Sequence, residues 1–283
     1  MAGPGSIVWL ASYPKSGNTW LRAMLTALLY PQNHQLIDLN AMVGGSELGE
    51  RQFLDDICAI DSSNLTHEQL KPYLRSMRLS AGTHYAAPYF AKTHNCFGRT
   101  ADGLALFPAE SARLAILVVR HPFDVAISLA AHNRTNIDTA IQCMADSGYM
   151  LNHQPHEGSE FLPVHIGDWS SHTESWLDQK ELPLLLLRYE DMIEDTINVL
   201  RKVAESSGIP TESEKLVSAA AATSFERLKQ AEQQFGFAEK PAGMPGFFRS
   251  GQAGGWQAIL NSDQIMAIQE RHATAMIRLG YTA

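Results

Sequence analysis

At 283 residues, with 45% apolar and 18% charged side chains, the chain has the make-up of an ordinary globular protein, long enough to bury a core without disulfides or a structural metal. Its formal charge of −8, from 22 Lys and Arg against 30 Asp and Glu, argues against general binding to nucleic acid or to an anionic membrane. The cysteines Cys58, Cys96 and Cys143 are dispersed and form no CxxC pair; the first residues lack the basic-then-apolar pattern expected of a leader, and no run approaches the roughly 18 apolar residues of a membrane span. Reduced thiols and a cytoplasmic location are the expectation.

In chain order, Ser6 to Ala11 reads as a short buried strand that enters a Pro/Gly turn. Thr19 to Leu29 follows with Trp20, Met24, Leu25 and Leu28 at helical spacing. Strand, tight loop and helix form the opening unit of a parallel α/β sheet. Residues 85–92 give a second strand, weakened by Pro88, and Leu114–Val119 is the clearest strand of the chain. It stops at Arg120-His121-Pro122, and a helix begins with Pro122 near its first turn. Residues 131–168, with His132, His153, His156 and His165 among several Gly and Pro, read as a long loop or helical lid. Leu184 to Tyr189 is another apolar strand, followed by a helix to about Ser206. Such unalternating runs fit strands covered on both faces. The expected fold is a single α/β domain over 1–283, with a central, mainly parallel sheet flanked by helices. A second ordered loop, rich in Gly, Pro and Phe, is expected at 234–256.

The loop Tyr13-Pro14-Lys15-Ser16-Gly17-Asn18-Thr19-Trp20 has the composition of an anion cradle. A loop between a strand and a helix N-terminus converges backbone N–H groups and the positive end of the helix dipole. Lys15 adds a cation, Gly17 permits close backbone approach, and Ser16 and Thr19 add hydroxyls. The order GxxxxGK[ST] is absent, because the lysine precedes Ser-Gly. That argues against a nucleoside triphosphatase.

Ser12 to Trp20 resembles the 5′-phosphosulfate loop of sulfotransferases that use 3′-phosphoadenosine 5′-phosphosulfate (PAPS). The resemblance implies that Lys15, Ser16, Gly17, Asn18 and Thr19 hold the phosphosulfate and that Trp20 stacks on adenine. Leu117 to Ser128 resembles the family's 3′-phosphate element, which implies that Arg120 and Ser128 clasp that phosphate; a planar guanidinium and a hydroxyl suit the task. Arg188-Tyr189-Glu190-Asp191-Met192 and Thr223-Ser224-Phe225 resemble segments that line the nucleotide, which assigns Tyr189, Thr223 and Phe225 to it. Phe247 to Gln257 is similar to the family's C-terminal loop Arg-Lys-Gly-x-x-Gly-Asp-Trp-Lys, which assigns Phe248, Arg249, Ser250 and Gly251 to the nucleotide. This chain departs from that loop at Ser250, Gly255 and Gln257, where lysine, aspartate and lysine are usual.

Transfer to a hydroxyl or amine needs a base near neutrality. Lys92-Thr93-His94 resembles the family motif that carries it, which implies His94 as base and Lys92 as a support for the transferring group, with Lys15 meeting the leaving phosphate. PAPS is thus the expected donor, 3′,5′-adenosine diphosphate (PAP) the product, and no metal is required. The spacing of His153, His156 and Glu157 is near that of metal ligands, but no third ligand stands at a defined distance, and the segment reads as a solvated loop. Two other readings are a nucleotide-binding protein without catalysis and a kinase-like phosphotransferase. The latter would need GK[ST] and a magnesium-holding aspartate. Aromatic residues near Tyr85, Tyr89, Phe90, Phe97, Tyr149, Phe235 and Phe237 suggest a partly apolar small-molecule acceptor, such as a phenol, an alcohol or a natural product. A homodimer stays open, since the animal dimer motif Lys-x-x-x-Thr-Val-x-x-x-Glu is absent from 257–283.

Overall fold

The computed structural model describes residues 5–31, 35–45, 47–86, 88–152 and 160–282. Its strands are β1 (Ile7–Ser12), β2 (Tyr89–Thr93), β3 (Ala112–Val119), β4 (Met150–Leu151), β5 (Val164–His165) and β6 (Leu184–Arg188). The fold is α/β: β2, β1, β3 and β6 form the central sheet in that order, while β4 and β5 make a separate antiparallel pair. β1 and β2 run parallel, with Ile7 opposite Tyr89 and Ala11 opposite Thr93. Every residue of β1 is buried, and in β3 only Arg113 is not, as inner strands require.

The β6 run departs from expectation. Leu184 to Leu187 reads as covered on both faces, yet Leu186 is 38% exposed because β6 is an edge strand. The helix expected through Ser206 is two helices, Tyr189–Glu194 and Thr196–Ser207. They break at Asp195 (φ −141°, ψ 70°), whose carboxylate accepts from Asn198 N at 3.1 Å and caps the second helix.

The chain divides into two compact units. The first comprises Met1–Tyr13, Gly44–Leu117 and Asp146–Leu186, and the second Pro14–Val43, Val118–Ala145 and Leu187–Ala283. In the first, Trp9 meets Phe107 edge-on with ring centroids 5.0 Å apart, and Phe107 packs on Trp176 at 4.6 Å. Phe90 is buried and belongs to the core, while Phe97, half-buried, packs against both Phe107 and Trp176. Helices Arg51–Cys58, His67–His84 and Trp169–Asp178 complete this unit. Asp168 caps the last of them, accepting from Ser171 N at 2.8 Å.

In the second unit, helix Asn18–Leu29 follows the Lys15 loop and Pro122–Asn133 follows Arg120, with Pro122 in the first turn. Helix Ile137–Ala145 lies in the stretch read as a lid, as does the β4–β5 pair, which belongs to the first unit. His153, His156 and Glu157 lie outside the described residues.

Candidate active site

The Lys15 loop is held in an unusual backbone conformation. Lys15 has φ 70° and Gly17 φ 109°, both in the left-handed region. Lysine there is strained, and such strain persists where the surroundings enforce it. Gly17 is the N-cap of helix Asn18–Leu29, yet no side chain caps that helix and no acid stands in its first turn. The leading N–H groups and the positive end of the helix dipole converge on this loop. Ser16 is fully buried, and its Oγ has no hydrogen-bond partner. A buried hydroxyl without a partner costs about 1–3 kcal/mol. An anion seated on this loop would remove that cost.

Arg120 closes the second station. Its Nη2 donates to Gln252 O at 2.9 Å, its Nη1 reaches Lys15 O at 3.4 Å, and its guanidinium lies 4.3 Å from the Tyr189 ring centre. Its buried Nε has no partner. Arg249 is near enough that burial, and then the like charge of Arg120, lower its pKa from the ordinary arginine value. Among the described residues neither arginine makes an ion pair. Two neighbouring guanidiniums without a carboxylate fit a doubly charged oxyanion. Ser128, on the helix Pro122–Asn133 that starts just after Arg120, is half-buried.

The loop that carries Arg249 is fixed at both ends by carboxylates that sequence reasoning missed. Glu232, 7% exposed, accepts from Phe247 N at 2.7 Å and Phe248 N at 3.1 Å. Asp124, 4% exposed, accepts from Gly254 N at 2.7 Å and Trp256 N at 3.2 Å. Between these anchors, Gly251 (φ 62°) lies so close to Phe225 that a β-carbon would meet its ring at 2.3 Å. The Trp20 indole donates to Thr223 O at 2.9 Å and meets Tyr189 edge-on at 5.8 Å. Thr223 is buried with its hydroxyl on Ala219 O at 2.8 Å, and only its carbonyl meets Trp20.

Lys15 Nζ lies 3.3 Å from His132 Nδ1 and 3.9 Å from the centre of the Phe247 ring. Neither partner stood out in the sequence. The one available signal for His132 was its place four residues after Ser128, on the same helical stripe.

His94 and Lys92 belong to the first unit. His94 follows β2 directly, and its Nδ1 lies 2.7 Å from Ser12 O and 3.3 Å from Ser12 Oγ. A carbonyl oxygen only accepts, so Nδ1 carries a proton, and in the neutral ring the lone pair is then on Nε2. Lys92, half-buried, sits on β2 opposite Leu10 of β1. In the same unit His172 is fully buried and meets Tyr13 edge-on at 5.6 Å; burial pushes its pKa down to about 3, against the pull of the His94 carbonyl. Among the described residues no group of three or more His, Cys, Asp or Glu is placed to hold a metal ion. No helix of the described chain is long and apolar enough to cross a membrane.

The chain is similar to known proteins over most of its length. Residues 6–280 match the model of the sulfotransferase domain. Rat sulfotransferase 2A6 is 34% identical over 98 residues, which spans 33% of this chain and 34% of that protein. Dog sulfotransferase 1B1 is 26% identical over 269 residues, 90% of this chain and 77% of its own length. Among solved structures, retinol dehydratase in complex with androsterone and the inactive cofactor PAP superposes with a TM-score of 0.61 at 16% identity, covering 95% of this chain and 80% of that one.

Proposed function

This chain belongs to the sulfotransferase family of enzymes, and on that footing we propose that it moves the sulfuryl group of PAPS to a hydroxyl or amine of a small-molecule acceptor, releasing PAP. The observation that supports the proposal is that one compact unit carries two separate groups suited to anions. One is the Lys15–Thr19 loop at the start of helix Asn18–Leu29, with its buried Ser16 hydroxyl that has no hydrogen-bond partner. The other is the Arg120–Arg249 pair, which has no carboxylate on it among the described residues. A nucleotide with both a 5′ phosphosulfate and a 3′ phosphate uses both. A nucleoside triphosphate leaves the arginine pair without a phosphate.

PAPS supplies an activated sulfuryl group on a phosphate leaving group. In transfer, the acceptor oxygen or nitrogen forms a bond to sulfur as the bond from sulfur to the nucleotide phosphate breaks. Negative charge grows on that phosphate, and Lys15 with the loop N–H groups meets it, so their contribution rises toward the transition state. The acceptor's proton goes to His94 Nε2, the nitrogen left basic by the hydrogen bond from Nδ1 to Ser12 O. Lys92 offsets charge on the transferring oxygens, by analogy with phosphoryl transfer. Arg120, Arg249, Ser128 and the backbone of Ser250–Gly251 hold the 3′ phosphate. Trp20, Tyr189, Phe225 and Phe248 frame the base. No resident metal enters the scheme.

The androsterone bound by retinol dehydratase supports a small organic acceptor. The aromatic group of Phe237, Phe247 and Phe248 beside Lys15 supports a partly apolar one, with ring centroids 4.8 Å apart for Phe237–Phe247 and 5.3 Å for Phe247–Phe248. A cytoplasmic location fits these assignments. Titration calorimetry with PAP and with adenosine 5′-monophosphate tests the two-station reading. PAP should bind at least about a hundredfold more tightly, a difference of roughly 2.7 kcal/mol. Equal affinities would remove the 3′-phosphate assignment.

A further inference from the structure

Lys15 does not stand alone in its loop, and the group it touches has no part in the scheme above. The helix Pro122–Asn133 begins just past Arg120 and ends at Arg134, whose left-handed φ of 55° breaks it. Ser128 and His132 lie one turn apart on this helix, on one face. His132 Nδ1 lies 3.3 Å from Lys15 Nζ, and the Phe247 ring lies 3.9 Å from the same ammonium. His132 and Phe247 are themselves in edge-on contact, with ring centroids 6.2 Å apart.

We propose that His132 is a positioning residue for Lys15: its neutral imidazole takes one ammonium proton as an acceptor while Phe247 covers another side, so that the lysine is directed before the nucleotide arrives. An ammonium has three donors and no acceptor. Nδ1 of His132 therefore holds the lone pair and Nε2 the proton, the reverse of the tautomer at His94. Lysine is a flexible stem with a point charge, and holding it costs rotamer entropy each time it is recruited. A fixed acceptor on a helix, opposed by an aromatic face, meets that cost during folding and not during turnover. Phe247 is in turn fixed through its backbone N–H on Glu232 at 2.7 Å. The helix that carries Ser128 at the second station thus also carries the residue that directs the lysine of the first.

The inference rests on the reading that Lys15 meets the leaving phosphate, and its test separates the two. Transfer of sulfate from PAPS is measured for the wild type, His132→Ala and His132→Asn, with PAP affinity and Tm as controls for folding. The alanine variant should lose about tenfold or more in kcat with KM for PAPS within about twofold of wild type. Asparagine should recover most of that loss, since its amide oxygen can take the place of Nδ1. In ligand-free protein, the ¹⁵N resonance of His132 Nδ1 should move in Lys15→Met. An unmoved Nδ1 resonance, an asparagine variant no better than alanine, or a loss confined to KM would overturn the proposal. If the wild type transfers no sulfate at all, the functional reading fails, and the resonance of His132 in Lys15→Met still decides the positioning contact.

Discussion

Gly17 lies against the ring of Tyr189: a β-carbon at position 17 would come within 2.6 Å of Tyr189 Cδ2. The same ring carries the Arg120 guanidinium at 4.3 Å, so the loop, the tyrosine and the arginine are packed as one stack. Gly17→Ala meets both that clash and a φ of 109° that L side chains rarely adopt. Urea denaturation should show a loss of about 1–3 kcal/mol, and PAP affinity should fall about tenfold or more. Unchanged PAP affinity would mean that the loop does not need this conformation to hold its anion.

The loop around Ser250 offers a gain of function. Where the resembling family carries lysine, this chain has an exposed serine between Arg249 and Gly251. Ser250→Lys should tighten PAP binding about three- to tenfold and steepen its salt dependence, as an added cation near a phosphate does at partly exposed sites. Calorimetry at two ionic strengths checks both. A lysine that leaves affinity unchanged would place the 3′ phosphate away from residue 250.

Two carboxylates bracket that same loop, and each can be neutralised with little change of shape. Asp124→Asn and Glu232→Gln each weaken a pair of charge-assisted hydrogen bonds to backbone N–H groups. Each should cost about 1.5–3 kcal/mol locally. Hydrogen exchange should speed up at Gly254 and Trp256 in the first variant and at Phe247 and Phe248 in the second, with PAP affinity reduced several-fold in both. Exchange that stays as slow as in the wild type would show that other contacts hold the loop.

The strand–loop–helix elements around Lys15 and Arg120 were legible because their signals are local. A strand, a lysine-first loop and a helix are contiguous in the chain, as are the β3 end, Arg120 and Pro122. The rest depends on pairings that no local pattern encodes. Lys15 and His132 are separated by 117 positions, and Asp124 and Gly254 by 130. The apolar run of β6 reads like that of an inner strand, and only the order of strands reveals that Leu186 is at an edge. Phe90 looked like a pocket residue because aromatic content does not distinguish a wall from a core.

Stability should fall in acid through the first unit. Burial holds the pKa of His172 at about 3 and that of His67 at about 4, well below the 6.5 of a free imidazole. The unfolded chain then binds protons that the folded one refuses. The stability these neutral histidines support is full above about pH 6.5 and is lost as pH falls below it, at up to about 1.4 kcal/mol per pH unit for each. Urea denaturation between pH 7 and 4.5 measures the slope. His172→Phe should flatten it by about one proton; an unchanged slope would mean that His172 titrates alike in both states.

The most direct measurement is transfer of labelled sulfate from PAPS to a panel of phenols, alcohols and amines, run in parallel for the wild type and His94→Ala. The expected result is a labelled product with at least one acceptor, one PAP released per sulfate transferred, and a loss of about a thousandfold or more in the His94→Ala rate while PAP affinity stays within about threefold. Tight PAP binding with no transfer to any acceptor, or turnover retained in His94→Ala, would contradict it.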